Sequence, residues 1–189
     1  PPVAKHVGKI MTKQQQTLLA IDIGTSTLKV VLTDLTGRIL ASSIEPTSYT
    51  TPDDASELSR EFSPVDLWAS LINLTGQTLQ SINITGNAVA AIGITSQRQG
   101  VGFLDRAGEE LYLGPNLDLR AVFEGAGMDE DFSDDVYATT GHLPSFFFAP
   151  AKLRWFQANR PDVYDRIATV FTLGDWVSYR LTGELAAQE

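Results

Sequence analysis

Three apolar segments near the start of the chain alternate with polar residues at the period of a β-strand. They are TLLAIDI at Thr17–Ile23, STLKVVLTD at Ser26–Asp34 and GRILASSIE at Gly37–Glu45. A short loop that begins at Gly24 joins the first two segments, and the polar turn Leu35–Arg38 joins the second and third. Strands with connections this short pair as antiparallel neighbours. The pattern therefore predicts a three-stranded antiparallel meander.

A helical period follows. Ser63 is a typical N-cap residue, Pro64 suits the first helical position, and Asp66 places a carboxylate in the first turn. Apolar residues then recur at helical spacing, at Val65, Trp68, Leu71, Ile72 and Leu79. We expect a helix that runs to about Ser81 and buries these apolar residues on one face.

Strands and helices mix throughout the rest of the chain, which predicts an α/β fold. The later predicted elements are a buried strand at Asn87–Thr95, a hairpin at Val101–Leu113, and helices at Ala151–Ala158 and Leu173–Leu181. The acidic stretch Glu124–Asp135 predicts a solvated loop and a helix start. The length predicts a single domain over residues 17–189.

The first sixteen residues lack a sustained period and predict a flexible tail outside the fold. Met11 is one candidate for the natural start, in which case Pro1–Ile10 come from an expression vector. A natural extension is the alternative, and the residues do not decide between them.

Composition narrows the functional classes. A formal net charge of −9 at pH 7 argues against nucleic acid or an anionic membrane as main partner, because either needs a basic surface. No apolar run approaches the ~18 residues of a membrane span, and no apolar N-terminal stretch resembles a signal peptide. The lack of cysteine excludes disulfides and thiolate metal sites. We expect a cytoplasmic protein, with a homodimer as one alternative for its oligomeric state.

The loop between the first two strands combines one glycine with three hydroxyl side chains, directly after the segment that contains Asp22. The loop residues are Gly24, Thr25, Ser26 and Thr27. Backbone amides and hydroxyls in such a turn can form an anion-binding concavity, Lys29 adds a positive charge, and Asp22 could hold a magnesium ion that bridges phosphates. It is not a Walker loop, because a strand follows it instead of a helix. A plain hairpin turn with solvated hydroxyls is the alternative reading.

Four segments resemble, in order, motifs of one family. Asp22–Lys29 resembles the first phosphate motif of the sugar kinase, heat-shock chaperone and actin superfamily, and more particularly that of the FGGY family of carbohydrate kinases. Ile94–Asp105 resembles the family's strand-loop-strand at the sugar, and Asn116–Arg120 its tryptophan-x-aspartate-x-arginine segment. Phe146–Ala186 resembles its phenylalanine-x-alanine-x-lysine-leucine-x-tryptophan run through to leucine-threonine-glycine. The four together cover nearly all of Leu18–Ala187.

The resemblance implies a fold and an activity. The fold is the ribonuclease-H-like α/β domain of the actin-like ATPases, a mixed sheet with helices on its faces. The activity is phosphorylation of a small sugar or polyol by ATP and Mg²⁺, with a ketose such as xylulose or a glycerol-like polyol as substrate. In this family the general-base aspartate lies beyond the segment matching Leu181–Gly183, and a second lobe follows. We therefore expect residues 17–189 to be an N-terminal sugar-binding domain that is truncated before the base and inactive alone.

On the nucleotide side, the resemblance implies that Asp22 coordinates Mg²⁺, directly or through water. It implies that the loop Gly24–Thr27, with Thr25 foremost, and Lys29 meet the nucleotide phosphates. Lys29 stands where glycerol kinases have arginine. That exchange keeps the charge and loses the bidentate fork of a guanidinium.

On the sugar side, the resemblance implies that Arg98 and Gln99 lie at the sugar hydroxyls, with Asp118 and Arg120 closing the same pocket. At the positions of Arg98 and Gln99, glycerol kinases have arginine and glutamate, and xylulokinases have methionine and histidine. This chain therefore follows neither pattern completely. Asn116 stands where the family usually has tryptophan. The substrate is therefore not named by the sequence.

Two functions from other classes stay open at this point. One is a sugar-binding or regulatory module that keeps the pocket without the chemistry. The other is an actin-like or chaperone ATPase, against which the sugar-side motifs argue. Titration with Mg·ATP and a panel of polyols and ketoses separates the three.

Overall fold

A computed structural model of the protein describes residues 16–52 and 57–186. The expected meander and one later strand form a four-stranded sheet in the order β3-β2-β1-β4. Its strands are β1 (Thr17–Ile23), β2 (Thr27–Asp34), β3 (Ile39–Pro46) and β4 (Val89–Ser96). The first three pair antiparallel, as predicted, and β4 pairs parallel to β1. The sheet is therefore mixed, and the tail predicted for residues 1–16 lies outside the described residues except for its last one.

A second, three-stranded sheet has the order β6-β5-β7 and is antiparallel throughout. Its strands are β5 (Val101–Leu104), β6 (Glu110–Gly114) and β7 (Thr169–Thr172). The predicted hairpin is β5 and β6, and its turn contains Gly108 with a φ of +83°, a conformation that favours glycine. All four residues of β5 are buried, because both faces of this central strand are covered.

Five α-helices are found in the described residues, and they flank the sheets. They are α1 (Pro64–Ser81), α2 (Val122–Thr140), α3 (Ala149–Asn159), α4 (Pro161–Tyr164) and α5 (Leu173–Thr182). The Ser63 hydroxyl accepts a hydrogen bond from the Asp66 amide, so the predicted N-cap of α1 is confirmed. The helix α5 begins with a capping box, in which Thr172 and Asp175 satisfy each other's backbone amides.

The face that α1 buries differs in part from the predicted one. Its buried residues are Leu67, Leu71, Leu74 and Thr78. Leu71 is buried and Trp68 and Leu79 are partly buried against the core, as predicted, whereas Val65 and Ile72 are 73% and 51% exposed, so the prediction was wrong for those two residues. Spacings of four, three and four residues bring the observed set onto one line, which packs against β2 and β3.

Two further expectations are corrected. The strand β4 exists, but most of its residues are exposed because it is the last strand of its sheet among the described residues. The acidic stretch Glu124–Asp135 lies wholly within α2 and contains no loop. Its solvation is confirmed, since α2 buries only Gly125.

Two hydrophobic clusters form the core. The larger lies between the four-stranded sheet, α1 and α5, and includes Ile23, Leu71 and Trp176. The smaller packs Val101, Phe103, Tyr112 and Phe156 between the second sheet and α3. In the part of the chain that the structure describes, no helix combines the length and the apolar character that crossing a membrane requires.

Candidate functional site

The loop Gly24–Thr27 closes the turn between β1 and β2 tightly. The Gly24 amide donates to the Thr27 carbonyl at 2.9 Å. A Cβ atom at position 24 would lie 2.7 Å from that carbonyl oxygen, so only glycine fits without a shift. Asp22 pairs across the strands with Lys29, and both project from the face opposite the core because their neighbours in each strand are buried. The turn thus sits beside one carboxylate and one ammonium group.

Backbone oxygens of this loop are held from one side by two residues that follow β3. The Thr47 hydroxyl donates to the Gly24 carbonyl at 2.9 Å, and the Thr47 amide donates to the Ser26 carbonyl at 3.0 Å. The Tyr49 hydroxyl donates to the Thr25 carbonyl at 2.5 Å. Burial raises the pKa of Tyr49, and a contact with the Gln97 amide opposes that rise. The loop conformation is therefore fixed by donors to three successive carbonyls.

A second loop, Gln97–Gly100, leaves the same edge of the sheet. Ile23 and Ser96 are register partners in parallel strands, so the chain exits β1 and β4 side by side. The carboxyl ends of such strands are where ligands gather in open α/β sheets. Arg98 and Gln99 are exposed there, and Gln99 has a φ of +66°, which is uncommon outside glycine.

Gln97 anchors this second loop and is itself buried, with 8% of its surface exposed. Its amide donates to the Ile23 carbonyl at 2.7 Å, and its side-chain Oε1 accepts from the Asn116 amide at 2.8 Å. Its Nε2 group has no hydrogen-bond partner of good geometry among the described residues. Gln97 thus fixes the loop to β1 and to the segment at Asn116.

Asn116 also reaches the first loop. Its side-chain amide faces the Thr25 hydroxyl, with Nδ2 and Oγ1 3.0 Å apart and Oδ1 and Oγ1 3.2 Å apart. One residue therefore contacts both loops, through its backbone on one side and its side chain on the other.

Asp118 is the centre of a closed polar cluster. It is fully buried, and both of its carboxylate oxygens accept hydrogen bonds. Oδ1 accepts from the Arg60 and Arg120 amides at 3.1 and 3.4 Å. Oδ2 accepts from the Tyr112 hydroxyl at 2.5 Å and from Arg120 Nε at 2.7 Å. We call Asp118, Arg120, Tyr112, Glu61 and Lys152 the Asp118 cluster.

The Arg120 guanidinium is enclosed by carboxylates and rings. Its Nη2 donates to Glu61 at 2.6 Å, and its Cζ lies 4.8–5.3 Å from ring centroids of Tyr112, Trp155 and Phe156. Burial lowers the pKa of Arg120, but the oxygen groups of Tyr112, Asp118 and Glu61 outweigh it and raise the pKa above the ordinary value. Arg120 therefore stays charged inside the protein.

Lys152 completes the cluster from α3 and is also fully buried. Its Nζ donates to the backbone carbonyls of Asp118 and Phe147 at 3.2 and 3.3 Å. Burial lowers its pKa from 10.5 to about 8, although the Asp118 charge acts against this change. The ammonium group joins the segment after β6 to the segment before α3.

The sequence of residues 17–189 matches the N-terminal domain of the FGGY family of carbohydrate kinases. The chain belongs to this family.

Curated relatives are longer than the chain. It is 33% identical over 177 residues to the Bacillus subtilis protein YoaC, provisionally named a sugar kinase, covering 92% of this chain and 34% of that protein. It is 32% identical over 180 residues to an autoinducer-2 kinase of Salmonella typhimurium, and the match covers 93% of this chain and 33% of that protein. The chain thus spans about a third of these proteins.

Solved structures share the fold. A xylulose kinase from Rhodospirillum rubrum superimposes with a TM-score of 0.77 at 25% identity, covering 92% of this chain and 36% of that one. The mixed α/β architecture of the FGGY kinases, which is the actin-like ATPase fold, is therefore confirmed for this chain.

In this FGGY domain the predicted site residues fall into two groups. Asp22, the loop at Gly24, Lys29, Arg98 and Gln99 lie on or beside one edge of the sheet. Asp118 and Arg120 lie in the closed cluster, where a ligand has no access to the Asp118 carboxylate.

Sequence reasoning did not assign roles to several residues that shape the site. Tyr49 and Glu61 lie outside the four motifs, Gln97 lies within Ile94–Asp105 without an assigned role, and all three act through contacts distant in sequence. Lys152 lies in the segment Phe146–Ala186 that resembles a family motif, but the sequence did not predict that its side chain is buried.

Proposed function

We propose that this FGGY domain is the sugar-binding part of a cytoplasmic, ATP-dependent kinase that phosphorylates one hydroxyl group of a small sugar or polyol. The observation that carries the proposal is the shared edge at which the glycine loop and the Gln97–Gly100 loop leave adjacent parallel strands, with Asn116 touching both. Phosphoryl transfer needs a phosphate clasp and an alcohol-binding loop side by side. This edge provides that juxtaposition.

On the phosphate side, the Thr25 and Ser26 hydroxyls and loop amides other than that of Gly24, which is bound to Thr27, would donate to phosphate oxygens, and Lys29 adds positive charge. Asp22 would hold Mg²⁺, which prefers one or two carboxylates together with phosphate oxygens and water. Among residues 16–52 and 57–186, no group of three His, Cys, Asp or Glu side chains could hold a metal ion. This fits a metal that enters with the nucleotide. A Mg²⁺ ion held by Asp22 would supply positive charge to offset the charge on the transferred phosphoryl group.

On the sugar side, the exposed Arg98 and Gln99 orient the substrate hydroxyls by hydrogen bonds. We assign Asp118 and Arg120 to the wall behind the pocket, because their polar atoms already bind each other. Asn116 in place of an aromatic ring leaves no stacking platform at that position, which favours an open-chain polyol or ketose over a ring form. The relatives named as autoinducer-2 kinases and the fold neighbour named a xylulose kinase support a small substrate of this kind.

Isothermal titration calorimetry on the 189-residue chain tests the proposal. Mg²⁺ with a non-hydrolysable ATP analogue, xylulose, ribitol and glycerol are titrated separately and in pairs. Binding of the nucleotide and of at least one polyol or ketose supports the kinase assignment. Sugar binding without nucleotide binding favours a regulatory module, and nucleotide binding without sugar binding favours a chaperone-like ATPase.

A further inference from the structure

We infer that Asn116 is a positioning residue that couples the phosphate loop to the sugar loop, so that each ligand strengthens the binding of the other. The inference rests on the proposed function, since it assigns phosphate to Gly24–Thr27 and sugar to Gln97–Gly100. It concerns a residue that contacts neither proposed ligand directly in its assigned role.

The side-chain contact controls the proton of Thr25. When Asn116 Nδ2 donates to the Thr25 hydroxyl at 3.0 Å, the hydroxyl accepts with a lone pair and its own proton is free to point elsewhere. When the Thr25 hydroxyl donates to Asn116 Oδ1 at 3.2 Å, that proton is used internally. A phosphate oxygen offers an acceptor that only the first arrangement can serve. Phosphate binding therefore selects the arrangement in which Asn116 Nδ2 donates to the Thr25 hydroxyl and the hydroxyl proton points to the phosphate.

The backbone contact carries the effect to the sugar loop. The Asn116 amide donates to Gln97 Oε1 at 2.8 Å, and Gln97 directly precedes Arg98. The opposite end of Gln97 is fixed, because its own amide donates to the Ile23 carbonyl at 2.7 Å. Through these two contacts Gln97 ties the start of the Arg98–Gln99 segment both to β1 and to Asn116.

The surroundings make this link stiff. The Thr25 carbonyl is held by the Tyr49 hydroxyl, so the peptide cannot follow its own side chain away from Asn116. Gly100 closes the other end of the sugar loop against Leu173, where a Cβ atom would overlap that side chain. Both loops are thus held in place, and Asn116 contacts both of them.

Binding measurements on a mutant set test the coupling. The set is Asn116→Ala, Thr25→Val, the double variant, and Asn73→Ala as a matched control on the exposed surface of α1. The probes are xylulose, or the best-binding polyol from the panel, with and without saturating Mg²⁺ and the non-hydrolysable ATP analogue. Circular dichroism and thermal melting verify that each variant is folded, and Asn116→Asp serves as a second, isosteric variant that lacks the Nδ2 donor.

For the unmodified chain we expect nucleotide to tighten sugar binding by roughly 5-fold or more, within the range typical of coupled sites, and sugar to tighten nucleotide binding by the same factor. Asn116→Ala and Asn116→Asp should bring both ratios close to one, while Asn73→Ala leaves them unchanged. The double variant should weaken nucleotide binding no more than the stronger single variant, because both remove one contact.

Three results would overturn the inference. If the unmodified chain binds both ligands, equal sugar affinities with and without nucleotide would reject the coupling and leave the kinase proposal intact. A preserved ratio in folded Asn116→Ala would place the coupling elsewhere. Absence of all binding in the unmodified chain would reject the proposed function, and this inference with it.

Discussion

At the edge of the sheet where the Gly24 loop and the Gln97–Gly100 loop lie, Ser26, Arg98 and Gln99 are exposed. In the Asp118 cluster, by contrast, Asp118 and Lys152 are fully buried. Both regions are rich in charge and hydroxyl groups, so composition does not distinguish them. They differ in whether the polar atoms already have partners. The edge has donors that a ligand can use, while every carboxylate oxygen of Asp118 is bound within the protein.

This difference indicates a structural role for the Asp118 cluster and a ligand-binding role for the edge. Two carboxylates, Glu61 and Asp118, face two cations, Arg120 and Lys152, so the cluster is formally neutral. Buried charges paired in this way hold a structure only while the set is complete, because removing one partner leaves another charge without compensation. The cluster therefore holds the segments around Glu61, Asp118 and Lys152 together, and we propose that the ligand contacts are made at the edge.

The largest expected effect concerns turnover. With Asp22 assigned to Mg²⁺ and the Asp118 carboxylate fully hydrogen-bonded, neither is free to take a proton from an attacking hydroxyl. General-base help is typically worth ~10²–10⁴-fold in rate. A coupled ADP-release assay on the 189-residue chain with its best-binding sugar should therefore show no sustained turnover. Sugar-dependent turnover above the Asp22→Ala background would mean that a base lies within these residues.

The next largest expected effect is the loss of folding stability when the Asp118 cluster is disrupted. Asp118→Ala leaves Arg120 without its buried partner and the Tyr112 hydroxyl without its acceptor. The free energy of unfolding should fall by ~3–5 kcal/mol, the usual range for a broken buried pair. Urea denaturation followed by tryptophan fluorescence measures it, with the exposed Asp129→Ala on α2 as control. A loss below ~1 kcal/mol would show that the cluster is not a structural unit.

Local patterns predicted most of the elements. The strand meander follows from alternation along Thr17–Glu45, and the start of α1 from the Ser63 cap, since both depend on residues near in sequence. The buried face of α1 was predicted in part: Leu71 lies in the core, whereas exposed Val65 and Ile72 were included and buried Leu67 and Leu74 were missed, because apolar residues occur on more than one side of this helix.

The candidate site was predictable to a smaller extent. The Gly24 loop was apparent because its glycine and hydroxyls are contiguous. The closure of Asp118 was not, because Glu61 meets Arg120 across 59 residues and Lys152 meets Asp118 across 34. Such contacts leave no periodic trace in the sequence, and the assignment of Arg98 and Gln99 to the sugar stays a prediction.

Arg98→Ala tests the open region directly. Because the side chain is exposed, its loss should leave the unfolding free energy within ~0.5 kcal/mol of the unmodified chain. A hydrogen bond from a charged donor contributes ~1.5–3 kcal/mol, so sugar affinity should fall roughly 10- to 100-fold. Calorimetry with Arg106→Ala as matched control, another exposed arginine in a loop, measures the difference. Equal affinities of the two variants would remove Arg98 from the site.

The smallest expected effect is a pH dependence of folding stability that arises from Lys152 in the Asp118 cluster. The pKa of Lys152 is about 8 in the folded protein, against the ordinary 10.5 in the unfolded chain, chiefly because of burial. Between these two values the unfolded chain binds more protons than the folded one, so stability rises with pH.

Between pH 8 and pH 9.5 the loss of the Lys152 proton should raise the free energy of unfolding by ~1–2 kcal/mol. The range stops there because Tyr112, whose pKa burial raises well above 10, acts in the opposite direction at higher pH. Urea denaturation at the two pH values is compared between the unmodified chain and Lys152→Met, which keeps the length of the side chain without a titratable group. Asp118 and Arg120, whose charges act on the pKa of Lys152, are present in both proteins. The rise should be smaller in Lys152→Met by that amount, and equal rises in the two proteins would mean that Lys152 does not lose its proton on folding in this range.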